Sequence, residues 1–84
     1  MKLSTKGRYG LRAIVDLAVN QSQGAVSISS IAARQSLSEN YLEQLMSRLK
    51  KAELVCSVRG AQGGYVLAKA PEEISVGDIL RALE

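Results

Sequence analysis

Few residues in this chain have chemistry to offer. Among 84 residues there is no histidine and a single cysteine, which leaves no imidazole base, no Cys–His pair and no ligand set for zinc. An enzyme would have to work with carboxylates, Lys or Ser alone, and no constellation of these stands out, so the expectation is a binding protein and not an enzyme. The polar residues suited to binding concentrate in two stretches, 38–51 and 59–65.

On a helical wheel of roughly 100° per residue, Leu42, Leu45, Met46 and Leu49 fall on one side of the first stretch, and Asn40, Glu43, Gln44, Ser47 and Lys51 on the other. A helix that reads base edges needs that arrangement, an apolar seat below and short or medium polar side chains above. Asn and Gln can pair bidentately with adenine, a carboxylate can accept from the cytosine amino group, and Lys can reach a phosphate. The competing reading is an ordinary solvated face. Glu43 is informative because a carboxylate facing a polyanion is unfavourable unless it meets a donor. It is either a specificity element or lies outside the groove.

The second stretch, Arg59-Gly60-Ala61-Gln62-Gly63-Gly64-Tyr65, sets one cation beside three glycines. Glycines allow close backbone approach, and one arginine suits a narrow minor groove. A phosphate-binding loop of the nucleotide-hydrolase kind is excluded, since its closing Lys-Ser/Thr pair is missing. A plain glycine-rich turn with a solvated arginine is the alternative. Lys2, Lys6, Arg8 and Tyr9 could approach a sugar–phosphate backbone, as could Tyr41 beside the start of the polar helix, with Arg48, Lys50 and Lys69 at the periphery. Cys56 shares an alternating face with Leu54 and Val58 and reads as a buried small side chain, not a redox sensor.

These side chains need elements to place them. Leu11, Ile14, Val15 and Ala18 recur at helical spacing and predict a first helix from Lys6 to Asn20, capped by Ser4 or Thr5. Residues 25–28 read as extended. A second helix should run from Ser29 or Ser30 to Gln35, and a third from Glu39 to about Ala52 with Ser38 as its cap. Two helices joined by about three residues have the spacing of a helix-turn-helix. Leu54–Arg59 and Tyr65–Ala68 then alternate as a β-hairpin with Arg59 at its tip. Pro71 breaks the chain, and Ser75-Val76-Gly77-Asp78 resembles a capping box that starts a last helix. The order is that of a winged helix-turn-helix, mainly α with a small β-hairpin, as one domain over residues 1–84.

Composition agrees. The length admits one small domain with a thin core, and with Phe and Trp absent that core must be aliphatic. Residues 1–70 carry ten basic side chains against four acidic ones, whereas 71–84 carry four acidic against Arg81 alone. A basic body with an acidic end favours a polyanion as partner. No apolar run approaches the roughly 20 residues that cross a bilayer, the start lacks the apolar stretch of a signal peptide, and one cysteine cannot make an internal disulfide, so a cytoplasmic protein without a membrane partner is expected.

Three motifs together, Ser-Thr-Lys-Gly-Arg-Tyr-Gly-Leu at 4–11, Leu-Ser-Glu-Asn-Tyr-Leu-Glu-Gln-Leu at 37–45 and Arg-Gly-Ala-Gln-Gly-Gly-Tyr-Val-Leu at 59–67, resemble a bacterial family. It is the winged-helix regulators typified by the iron–sulfur cluster regulator IscR and the cysteine-metabolism repressor CymR, and the wording is nearer the CymR type. The ending at 74–84 fits too. The resemblance implies a bacterial transcription regulator, a repressor, that binds double-stranded DNA with the 39–52 helix in the major groove and the 54–67 wing in the minor groove. It implies base contacts by Glu43, Gln44 and Arg59, to which the wheel adds Asn40, where IscR-type members often carry Ser. Backbone contacts are expected at Lys6, Tyr9, Ser38, Tyr41, Ser47, Lys50, Lys51 and Gly60. It further implies a homodimer in the full-length protein, made by a long helix beyond residue 84. No cofactor is expected within these residues, and an iron–sulfur cluster only if cysteines lie beyond 84. A protein–protein module on the same scaffold is the alternative.

Overall fold

The computed structural model describes residues 3–84, so the expected contact at Lys2 lies outside the described residues. Four helices and one hairpin follow in the expected order: α1 (Thr5–Asn20), a 3-10 turn (Gln21–Gln23), α2 (Ile28–Gln35), α3 (Glu39–Lys51), β1 (Val55–Val58), β2 (Gly64–Leu67), a second 3-10 turn (Pro71–Glu73) and α4 (Val76–Leu83). This is a winged helix-turn-helix.

Every α-helix starts on a serine whose hydroxyl accepts from a backbone amide that has no partner within the helix. Ser4 accepts from the Gly7 N–H, Ser27 from Ser30, Ser38 from Tyr41 and Ser75 from Asp78. At α4 the box is reciprocal, because Asp78 also accepts from the Ser75 N–H at 3.0 Å. α2 begins at Ile28, one or two residues earlier than expected, because the cap is Ser27. Of the expected extended segment 25–28, Val26 alone pairs, in one antiparallel bridge to Tyr65. Ser36, in the left-handed region at φ 54°, ends α2, and two residues later Ser38 caps α3.

The core is aliphatic. Leu17, Ile31, Leu42, Leu45, Met46, Leu49, Val55, Ile79 and Leu83 are fully buried, and Tyr9, Tyr41 and Tyr65 pack only at its edge. The α1 stripe differs from the expected one. Of Leu11, Ile14, Val15 and Ala18 only Ile14 is buried, and Val15 is 52% exposed. The side that faces inward carries Gly7, Gly10, Ala13, Asp16 and Leu17 as well. Packing of α4 explains this, since a Cβ on Gly7 would collide with Leu80 and one on Gly10 with Leu83. Small residues let α4 lie close against α1, and that approach fixes which face of α1 is buried.

In the hairpin, Val55 to Val58 pair antiparallel with Leu67 to Gly64. Cys56 is exposed, which corrects the expectation that it is buried. Glu53, at φ 62°, ends α3, and Leu54 donates to the Leu49 carbonyl at 3.0 Å. Leu54 and Val55 are therefore both buried, the alternation shifts by one residue, and Cys56 turns outward.

Candidate nucleic-acid interface

Helix α3 is amphipathic as the wheel requires. Leu42, Leu45, Met46 and Leu49 are at most 2% exposed, and Asn40, Glu43, Gln44, Ser47 and Lys51 are all exposed. These five, with Arg48, line a shallow groove of about 370 Å³. The buried row fixes the height and rotation of the polar row, so the side chains expected to read bases stand on a rigid element.

Around the start of α3 the structure gathers several of the expected backbone contacts. The Tyr9 ring meets Tyr41 edge-on, with centroids 6.2 Å apart and an interplanar angle of 87°. That contact places the amino-terminal half of α1 beside Ser38, the cap of α3. Lys6 is exposed one turn before Tyr9. Arg12 lies over the Tyr9 ring, its guanidinium carbon 5.4 Å from the ring centroid. It thus joins the Tyr9–Tyr41 pair, a place that no reading of the sequence assigned to it. Its one signal there is the i, i+3 spacing from Tyr9.

The three peripheral candidates differ in their surroundings. Arg48 Nη1 donates to the Leu83 carbonyl at 3.2 Å, which ties α3 to the end of α4 and gives the side chain a structural role. Lys50 and Lys69 line a separate hollow with Cys56, Glu53 and Ser57, on the hairpin flank of α3.

The wing is anchored at its root. Val26 and Tyr65 exchange both backbone hydrogen bonds, at 2.9 and 2.8 Å. The Leu67 N–H donates to Gln21 Oε1 at 2.9 Å, so a side chain continues the ladder beyond Val26. A Cβ on Gly64, whose φ is 151°, would collide with the Val26 carbonyl. The turn beyond is open. Arg59, Gly60, Ala61 and Gln62 are all exposed, with Gly60 at φ 109° and its carbonyl accepting from the Gly63 N–H. Arg59 therefore projects from a fixed hairpin.

One buried charge organises the scaffold behind these elements. Asp16, 5% exposed, accepts from Arg34 Nη2 at 2.7 Å and Nε at 2.9 Å, from Gln35 Nε2 at 3.2 Å and from Asn20 Nδ2 at 3.3 Å. Burial pushes its carboxyl up. The hydrogen bonds from Arg34 and Gln35, the Arg34 charge and the Asn20 amide outweigh that and hold it below the usual carboxylate range. The network locks α2 to α1 and so sets where α3 begins.

Among the described residues no helix is long and apolar enough to cross a membrane, and no group of three or more His, Cys, Asp or Glu could hold a metal ion.

The Rrf2 family, described as iron-dependent transcriptional regulators, matches residues 3–84. The chain is 56% identical over 84 residues to the HTH-type transcriptional regulator CymR of Bacillus subtilis (strain 168), covering all of this chain and 61% of that protein. It is 49% identical over 84 residues to the HTH-type transcriptional regulator IscR of Aliivibrio salmonicida, covering 50% of that protein. Among solved structures it resembles T. potens IscR, with TM-score 0.92 and 62% identity over all of this chain and 61% of that one. It also resembles CymR (YrzC), the global cysteine regulator of B. subtilis, with TM-score 0.94 and 55% identity over all of this chain and 65% of that one. Identity over these residues does not separate the CymR kind from the IscR kind. These relatives are transcriptional regulators, not enzymes, and the chain spans half to about two-thirds of their length. The family description names iron, yet the residues here do not fit an iron site, with no histidine and one exposed cysteine. With the fold, the serine-capped α3 and the match over residues 3–84 in agreement, the chain belongs to the Rrf2 family.

Proposed function

We propose that the protein binds double-stranded DNA sequence-specifically as the reading domain of a cytoplasmic bacterial transcription repressor that acts as a homodimer. Helix α3 enters the major groove, where Asn40, Glu43 and Gln44 read base edges, and the β1–β2 wing enters the minor groove with Arg59. Lys6, Tyr9, Ser38, Tyr41, Ser47, Lys50, Lys51 and Gly60 hold the sugar–phosphate backbone. The observation that carries this reading is the exposed polar row of α3, held rigidly over four buried Leu and Met side chains beside an anchored, arginine-tipped wing.

Fluorescence anisotropy of a labelled duplex from the gene's own upstream region, across several salt concentrations, tests it. With about four to six phosphate contacts, log affinity should fall with log salt at a slope of roughly −4 to −5, and an unrelated duplex should bind more weakly. A binding-incompetent protein at low salt, even when fused to a dimeric coiled coil, would refute the reading.

One observation favours a protein-docking role as a second reading. Val15 and Val19, at 52% and 70% exposed, lie with Leu11 along an open hollow of about 430 Å³ on α1. That reading predicts partner binding with little salt dependence.

A further inference from the structure

We infer that the hollow between the start of α2 and the turn of the wing is a further phosphate-binding site, which seats a backbone phosphate of the duplex whose grooves α3 and the wing enter. The inference rests on the DNA reading above and adds residues outside it. The hollow measures about 330 Å³, and its walls include Asn20, Ser27, Ser30 and Arg34 on one side and Gln62 and Gly63 on the other. Among the described residues, Arg34 is the one charged residue in the lining, and no carboxylate lines it.

Both walls are built before any ligand arrives. On the helical side, Asp16 grips the Nε and Nη2 edge of Arg34, and Nη2 also donates to Ser30 Oγ at 3.2 Å. Nη1 has no partner among the described residues, so the guanidinium is oriented with donors to spare. On the wing side, the Val26–Tyr65 bonds and the Gln21–Leu67 bond hold the hairpin. The Nη1 N–H donors of Arg34, the Ser27 hydroxyl and the Gln62 carboxamide around one concavity can meet the oxygens of a phosphate diester, while the Asn20 amide is held on Asp16. Asp16 neutralises the inner edge of Arg34, so the hollow acts through directed donors at short range. Such contacts set register and carry no sequence information.

Placement supports the same ligand. Two elements that enter adjacent grooves straddle one sugar–phosphate strand. The hollow is bordered by the wing turn and by α2, which leads through Ser36–Ser38 directly into α3.

The test uses charge without disturbing the fold. Ser27→Asp retains an N-cap residue of equal quality and sets a carboxylate at the rim, and Gln62→Glu does so on the exposed turn. Each should lower affinity about tenfold for the operator and an unrelated duplex alike. Each should also make the salt slope shallower by about one, with an unchanged melting temperature. Val76→Asp on α4, an equal charge outside the hollow, serves as control. Variants that match this control in affinity and slope, in a protein that does bind DNA, overturn the site and leave the DNA reading standing. A protein that binds no duplex overturns both. Amide shifts of Gln62 and Gly63 separate the sources of the oxyanion, since they should move with duplex at stoichiometric ratio. Movement with inorganic phosphate alone, and none with duplex, would assign the hollow to a free anion and overturn the inference.

Discussion

Glu43 decides how the proposed complex discriminates between sequences. It is exposed on the polar row of α3 between Asn40 and Ser47, where a carboxylate is tolerated against DNA only if a base donor meets it. Glu43→Ala should therefore relax preference at one base pair, by about 1–3 kcal/mol of discrimination, more than it weakens binding overall. Competition binding over all single substitutions of the operator reads this, and equal weakening at every position would refute it. Asp16 acts at the same scale on stability. Its folded carboxyl titrates below the unfolded value of about 3.9, so its stabilisation is complete above that value and is lost as pH falls through the folded one. Asp16→Asn should cost about 2 kcal/mol at neutral pH, since hydrogen bonds to a charged group are lost. It should also make stability less sensitive to acid below about pH 4. Urea melts at pH 7 and pH 3 check both points, and an equal loss at the two values would contradict the account.

Among the elements, the wing depends on its root. Gly64 combines a φ of 151° with backbone contact to Val26, so Gly64→Ala should lower stability by about 1–3 kcal/mol and broaden the amide signals of Val26 and Tyr65. Arg59→Ala should leave stability unchanged and cost affinity mainly on sites with A·T-rich flanks. Loss of Arg59 without effect on any duplex would leave the wing a plain turn. Helix α3 was legible in the sequence because its apolar and polar residues separate cleanly at the helical period, and the hairpin because a glycine-rich turn divides two β-compatible runs. The α1 face was not, because hydropathy weights Val15 and cannot see that Gly7 and Gly10 admit α4. Cys56 was misplaced because a four-residue strand has too few residues to fix its own phase, and Glu53 and Leu54 set it from outside. The polar row of α3 needed one helix to be seen. The Asp16–Arg34 pair and the hollow beside it need α1, α2 and the wing together, residues far apart in sequence.

On the scale of the whole molecule, charge is uneven along the chain of a body measuring 38 × 27 × 21 Å. The net charge is +3, although the segment from Pro71 onward is acidic. Glu72 and Glu73 are exposed in the second 3-10 turn and have no part in the proposed contacts. They can act on a duplex only through the long-range field. The Debye length is about 30 Å at 0.01 M salt, comparable to the molecule, and about 8 Å at 0.15 M, well short of it. Replacing both with Gln should therefore speed association with any duplex severalfold at the lower salt and leave the rate at the higher salt unchanged. Stopped-flow association at the two ionic strengths measures this. A gain that persists at 0.15 M would mean that the acidic end lies against the duplex, and the orientation with α3 and the wing facing DNA would have to be redrawn. A gain confined to low salt fits a basic face that steers the polyanion in and an acidic end that disfavours the reverse approach.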